Sequence, residues 1–162
     1  MRDFKTDYTW QETHIERAKA IIKENLGRLA TIEIAPDELD MHEVCDAVFR
    51  IAEGMVAVRL RRAHYLEKFQ DVTFRSYRES GMKTELAKIR EGFARWYLFG
   101  WIDEDDGSVF TWLILDMDRV RKSGLLNSPE ETINFDRETR FVHIGINQLF
   151  SKGCIVAAGG PR

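Results

Sequence analysis

The sequence predicts an α/β (α+β) protein, with a mixed central sheet of about four to six strands flanked by helices. Three observations predict it. Apolar residues recur at helical spacing between Trp10 and Leu26. Three short runs rich in β-branched and aromatic residues then fall between Val44 and Tyr77, separated by turn signals. Further on, Val109 to Met117 is almost wholly apolar, as expected of a central strand buried on both faces.

Taken in order, Thr9 caps the first helix, with Glu12 completing a capping-box pattern. Trp10, Ile15, Ala18, Ile21, Ile22 and Leu26 form its apolar stripe, and Gly27 stops it. Leu29 to Ile34 reads as a strand that Pro36 ends, and Asp37 to Val44 as an acidic loop. Val44 to Ile51 and Met55 to Arg62 are strands joined by the hairpin signal Ala52-Glu53-Gly54. Val72 to Tyr77 is the next strand. Thr84 caps a helix whose wide apolar face carries Leu86, Ile89, Phe93, Trp96, Tyr97 and Leu98. Asp103 to Gly107 is a turn, which resembles a calcium loop but lacks the twelve-residue pattern. After the strand to Met117 come a short helix over Asp118 to Leu126, a strand at Phe141 to Ile146 and a helical turn at Asn147 to Phe150. The tail from Gly153 to Arg162 is rich in small residues and is expected to be poorly ordered.

The chain has 162 residues, 44% of them hydrophobic and 31% charged, which suits one domain with a real core. A net charge of −3 argues against a nonspecific nucleic-acid coat but leaves room for a local basic groove. Cys45 and Cys154 lack metal-ligand spacing and read as reduced thiols of a cytoplasmic protein. No apolar run approaches the ~20 residues that span a bilayer, so no membrane partner is expected. His14, His42, His64 and His143 show no zinc spacing.

The residues with the most chemical content lie between Asp46 and Gly100. Metal-dependent phosphodiester cleavage needs carboxylates to hold Mg²⁺ and a cation to steady the developing charge. Asp46 enters one strand, and on the next Arg59 and Arg61 share a face because residues two apart on a strand point the same way. Glu85 and Lys88 lie three apart on the following helix, again on one face. Basic residues are dense from Arg59 to Arg95, the footprint of a phosphate-bearing partner, with Tyr65, Phe69 and Tyr77 interleaved.

In this order of elements, Asp46 to Trp101 resembles the PD-(D/E)XK nuclease-like superfamily. The runs Val56–Arg62, Asp71–Ser76 and Ser80–Ile89, continuing into Tyr97-Leu98-Phe99-Gly100, are similar to an uncharacterised family of bacteriophage and metagenomic proteins. The resemblance implies a restriction-endonuclease-like fold and Mg²⁺-dependent DNA cleavage in active members. On that reading Asp46 and Glu85 are the metal ligands, and Lys88 or Arg61 stabilises the pentavalent phosphate. Arg59, Arg62, Arg75, Arg78 and Lys83 contact the nucleic-acid backbone. The chain departs from the pattern where Arg59 and Arg61 stand in place of an acid and a lysine. Arginine repels Mg²⁺ and cannot position a water as lysine does. Glu85 on the next helix, Glu16 and Glu33 are the acids that can make good the loss.

Each residue also has a plainer reading. Asp46 can cap a turn or pair with Arg59. Arg59, Arg61 and Arg62 can be the solvated face of an edge strand, where charge blocks sheet-to-sheet association. Glu85 and Lys88 can be an ordinary first-turn acid and a surface cation. Two functions therefore stand open: a nuclease-like protein of phage type that binds and cleaves nucleic acid with Mg²⁺, and a non-catalytic accessory or defence-blocking protein that binds a protein partner. For the second, the acidic segment from Asp37 to Glu43 would dock a basic surface. Exposure of Trp10, Trp96, Trp101 or Trp112 would point to self-association, as in a homodimer.

Overall fold

The computed structural model describes residues 4–26, 33–34, 47–51, 54–79, 81–103, 107, 109–127, 131–133 and 139–160. Helix α1 runs from Phe4 to Leu26. Strands β1 (Glu33–Ile34), β2 (Ala47–Ile51) and β3 (Gly54–Arg62) follow. Next come α2 (His64–Lys68), β4 (Asp71–Arg78), α3 (Glu85–Arg90), β5 (Trp96–Ile102) and β6 (Val109–Asp116). After α4 (Met117–Lys122) and a 3₁₀ turn at Leu125–Asn127, the chain continues through β7 (Glu131–Ile133), β8 (Thr139–Gly145), α5 (Ile146–Ser151) and β9 (Ile155–Gly159).

The predicted mixed sheet is present and is six-stranded, in the order β1-β2-β3-β5-β6-β9. Only β3 and β5 pair in parallel; the other neighbours are antiparallel. The hairpin expected between β2 and β3 pairs Ala47 with Val58 and Ile51 with Gly54. Its turn residues Ala52 and Glu53 lie outside the described residues, as do 27–32, 35–46 and the acidic turn 104–106. Among the described residues, no helix is long and apolar enough to cross a membrane.

A second sheet, β4-β8-β7, was not expected. The strand from Asp71 reads as the next member of the first sheet, but it pairs with β8. The short strand β7 and helix α2 were also not expected. Val72, Phe74, Val142 and Ile144 of the second sheet pack on Ala57, Tyr97, Phe99, Trp101, Leu113 and Leu115 of the first. Phe74 stands edge-on to Tyr97 and Phe99, with ring centroids 5.6 and 5.7 Å apart. On the other face of the large sheet, Ala18, Ile21 and Ile22 of α1 bury against Val56, Val58, Leu60, Leu98, Ile102 and Ile114. The arrangement is thus helix, sheet, sheet, and both faces of β3 and β5 are covered. That explains why Trp96–Ile102 is nearly continuous in apolar residues.

Three expectations are corrected, the first being the cap at Thr9, which lies inside α1 because the helix already begins at Phe4. The helix capped by Thr84 ends at Arg90, and Trp96, Tyr97 and Leu98 belong to β5. The Thr84 hydroxyl does accept from the Ala87 N–H at 3.3 Å. Gly92 (φ 102°) and Ala94 (φ 57°) then take left-handed backbone, which stops the helix and turns the chain into the sheet. The tail is also more ordered than its composition suggests. Ile155–Gly159 forms β9, and Gly159 lies so close beneath Trp112 that a Cβ there would fall 2.7 Å from the indole. Small residues let that aromatic ring lie flat on the strand, a local use of glycine that composition alone does not disclose.

Gly54 opens β3 with φ +126°, and a Cβ there would meet the Arg95 Cβ at 2.9 Å. Gly54→Ala should therefore cost about 1–3 kcal/mol, through backbone strain and displacement of Arg95. The check is a urea midpoint that falls with an unchanged slope; an unaltered midpoint would refute the steric assignment.

Candidate functional site

Alternation along β3 sends Val56, Val58 and Leu60 toward α1 and Ala57, Arg59 and Arg61 toward the second sheet. The strand lies between β2 and β5, so it is not an edge strand, and the reading of a solvated edge face is corrected. The Arg59 and Arg61 side chains are 13% and 20% exposed, and each is committed to an acid from the opposing layer.

Arg59 donates from NH2 to Glu85 Oε2 at 2.7 Å. The Arg75 backbone N–H donates to the same oxygen at 3.0 Å, and the Tyr97 hydroxyl donates to Oε1. Glu85 is wholly buried. Burial pushes its carboxyl up from the usual range, and Arg59, Tyr97 and the Arg75 N–H offset this only in part. Three donors converge on it and none needs an acceptor in return, so the site is built for the carboxylate. Glu85 does stand in the first turn of α3, as its plain reading has it, but it is buried and bonded across layers rather than ordinary. Its oxygens are engaged within the fold, which supports a structural role over metal ligation.

The second arginine continues this seam. Arg61 approaches Asp71 Oδ1 at 3.4 Å, and Asp71 Oδ2 lies 2.8 Å from His143 Nδ1. Arg61 also sits over the Tyr65 ring, 5.1 Å from its centroid. Burial pushes the Arg61 guanidinium down, and Asp71 works against that. His143 Nε2 is buried, with no hydrogen-bond partner among the described residues. Asp71 and His143 were not singled out from the sequence. They stand 72 residues apart and meet only because β4 pairs with β8.

The remaining expected contacts are dispersed. The Arg75 guanidinium lies over Phe141, 5.8 Å from the centroid. Arg62 closes β3 on the face that packs against α1. Lys83 is exposed and pairs with Glu91. Lys88 is half-buried one turn beyond Glu85. Glu16 is exposed and pairs with Lys19. Asp46 and the side chains of Glu33 and Arg78 lie outside the described residues. Among the described residues no three of His, Cys, Asp and Glu are grouped to hold a metal, and Mg²⁺ wants about six oxygens. The described residues therefore do not assemble an Mg²⁺ site around Glu85.

A second ionic node lies where β5 begins and β6 ends. Arg95 forks onto both oxygens of Asp116, the NH2–Oδ2 contact being 3.2 Å. Asp116 also caps α4, accepting from the Asp118 and Arg119 N–H groups at 3.0 and 3.1 Å. Burial alone would raise its carboxyl, but Arg95 and the Arg119 N–H outweigh it and hold the carboxyl below the usual range. Arg121 donates to the carbonyls of Ile89, Phe93 and Ala94 at 3.2–3.4 Å and so ties α4 to the turn after α3. The local signal for this node is an acid directly before the Met117 helix, an N-cap pattern.

Breaking one half of the Arg59–Glu85 pair should leave a buried charge uncompensated. Arg59→Met and Glu85→Leu should each lose about 3–5 kcal/mol, and the double variant should recover much of that sum. A double-mutant cycle in urea tests the coupling; simple additivity would remove the ionic lock from the account. For Asp116 the folded pKa lies below the unfolded one, so its contribution is present above the unfolded value and fades as pH falls through the folded value. Asp116→Asn should cost about 1–2 kcal/mol at pH 7, and the gap from wild type should close on acidification. A gap that widens below pH 4 would contradict the assignment. No family model matches the chain, and no curated protein or solved structure matches it, so the functional reading comes from its own geometry.

Proposed function

We propose that this chain is a non-catalytic binding protein that acts through a protein partner and does not hydrolyse phosphodiesters. The observation that carries this reading is the closed Arg59–Glu85–Tyr97 cluster. The groups that would have had to rebuild a metal site are used to hold two sheets together.

The cationic density between Arg59 and Arg95 supports the same reading. Arg59, Arg61 and Arg95 each face a carboxylate, Lys83 faces Glu91 and Arg90 donates to the Leu126 carbonyl at 2.5 Å. Charge neutralised within the fold contributes little to holding phosphates, because phosphate affinity comes from cations that displace counterions. On the outside, Phe69, Tyr77, Met82, Ile133 and Phe150 are exposed, and aromatic residues and methionine are favoured at protein interfaces. The acidic run Asp37, Glu38, Asp40 and Glu43 suits a partner with a basic surface.

The test uses wild type and Asp46→Ala with single- and double-stranded DNA and RNA, in Mg²⁺ or Mn²⁺. We expect no metal-dependent cleavage from either, and nucleic-acid binding no tighter than the nonspecific range of about 10⁻⁴–10⁻⁶ M at physiological salt. Cleavage by wild type that Asp46→Ala abolishes would replace this proposal with a metal-dependent nuclease.

A further inference from the structure

Among the described residues the two sheets have four end strands, and three of them are short, charged or covered. Strand β1 is only two residues long and includes Glu33. At β7 there are three residues, with Glu131 paired to Arg140. The free side of β4 is engaged by α3, whose Glu85 carboxylate takes the Arg75 N–H, and the strand carries Asp71, Arg75 and Arg78. Charge, brevity and cover are the usual means by which a sheet edge is kept from pairing with another chain.

The fourth end, β9, is different. It pairs only with β6 in the described sheet, from Trp112–Gly159 to Leu115–Ile155. From Ile155 to Gly160 there is no charged residue and no proline. A bulge at Val156 is the one irregularity, and beyond it Ala157, Ala158 and Gly159 run in regular register. Val156 is 40% exposed. The outward row of backbone donors and acceptors is thus bordered by small and apolar side chains.

We propose that β9 is the interface of a homodimer, in which two copies pair antiparallel about a two-fold axis near Ala158 and join their large sheets into one. Charge selects the occupant. An uncharged strand meets no like charge when it faces its own copy, whereas most of this chain's other surface would. Size agrees: Ala157 of one copy falls opposite Gly159 of the other, so the backbones reach the ~4.8 Å strand spacing without a clash. The symmetry repeats the exposed Val156 once on each side of the axis, as an isologous contact requires. This interface is independent of what the protein binds.

The test is the solution mass of the full chain by light scattering and sedimentation across about 1–100 μM. Wild type should run at twice the chain mass. Ala158→Lys, which puts a charge on the exposed edge, should weaken the dimer at least 100-fold while keeping the circular dichroism spectrum and urea midpoint of wild type. Val156→Lys provides a second variant should the first fold poorly. A wild-type monomer at 100 μM overturns the proposal, and so does a dimer that survives both substitutions in folded protein. A monomer that instead adds a foreign peptide strand along β9 overturns it as well.

Discussion

The Glu85 carboxylate is the point at which the layers of this protein are tied. It accepts from Arg59 on β3, from the backbone of Arg75 on β4 and from Tyr97 on β5, and it stands on the first turn of α3. One buried anion therefore fixes the relative placement of two sheets and a helix. Apolar packing between Phe74, Tyr97 and Phe99 supplies the bulk of the attraction there, but it is not directional. The ion pair is directional, and its energetic asymmetry makes the placement strict. A paired buried charge adds little net stability over an apolar substitute, whereas an unpaired one costs several kcal/mol. Any sliding of the second sheet that separated Arg59 from Glu85 would meet that cost.

Ion pairs tie elements together at two further places, one between the sheets and one within the large sheet. Arg61 reaches Asp71 at the start of β4, and Asp71 in turn reaches His143 on β8, so the seam crosses from β3 to the central strand of the small sheet. At the other end of β5, Arg95 and Asp116 join the start of one strand to the end of its neighbour, and Asp116 also starts α4. Arg121 then returns from α4 to the carbonyls that follow α3. Short elements of five or six residues would be marginal helices by themselves. Here α3 and α4 are anchored by charged side chains from other parts of the chain, Arg59 on Glu85 and Arg95 on Asp116.

Much of the large sheet and its covering helix is legible from local pattern. The stripe Ile15, Ala18, Ile22, Leu26 has helical spacing and does face the sheet. The β2–β3 hairpin, the buried β6 and the two late elements β8 and α5 stand where runs of β-branched or apolar residues place them. The misreading at β5 has an equally physical cause. Leu86, Ile89, Phe93 and Tyr97 fall at helical spacing, so a longer helix satisfies the period. What overrides it is backbone at Gly92 and Ala94, together with burial of Trp96–Ile102 between two layers. A run that is apolar all round suits a strand covered on both faces, and only long-range packing supplies the covers.

Local sequence was enough to establish that this chain folds as a mixed sheet with flanking helices, and that Arg59 and Arg61 share one face of a strand. It could not say what that face meets. Side-chain period is a property of a few neighbouring residues, whereas Arg59 finds Glu85 across 26 positions and His143 finds Asp71 across 72. The same two arginines would serve equally well toward solvent, toward a phosphate or toward a buried acid. Placing a second sheet over β3 decides the matter, because it removes water from both guanidinium groups and so makes an internal carboxylate their most favourable partner.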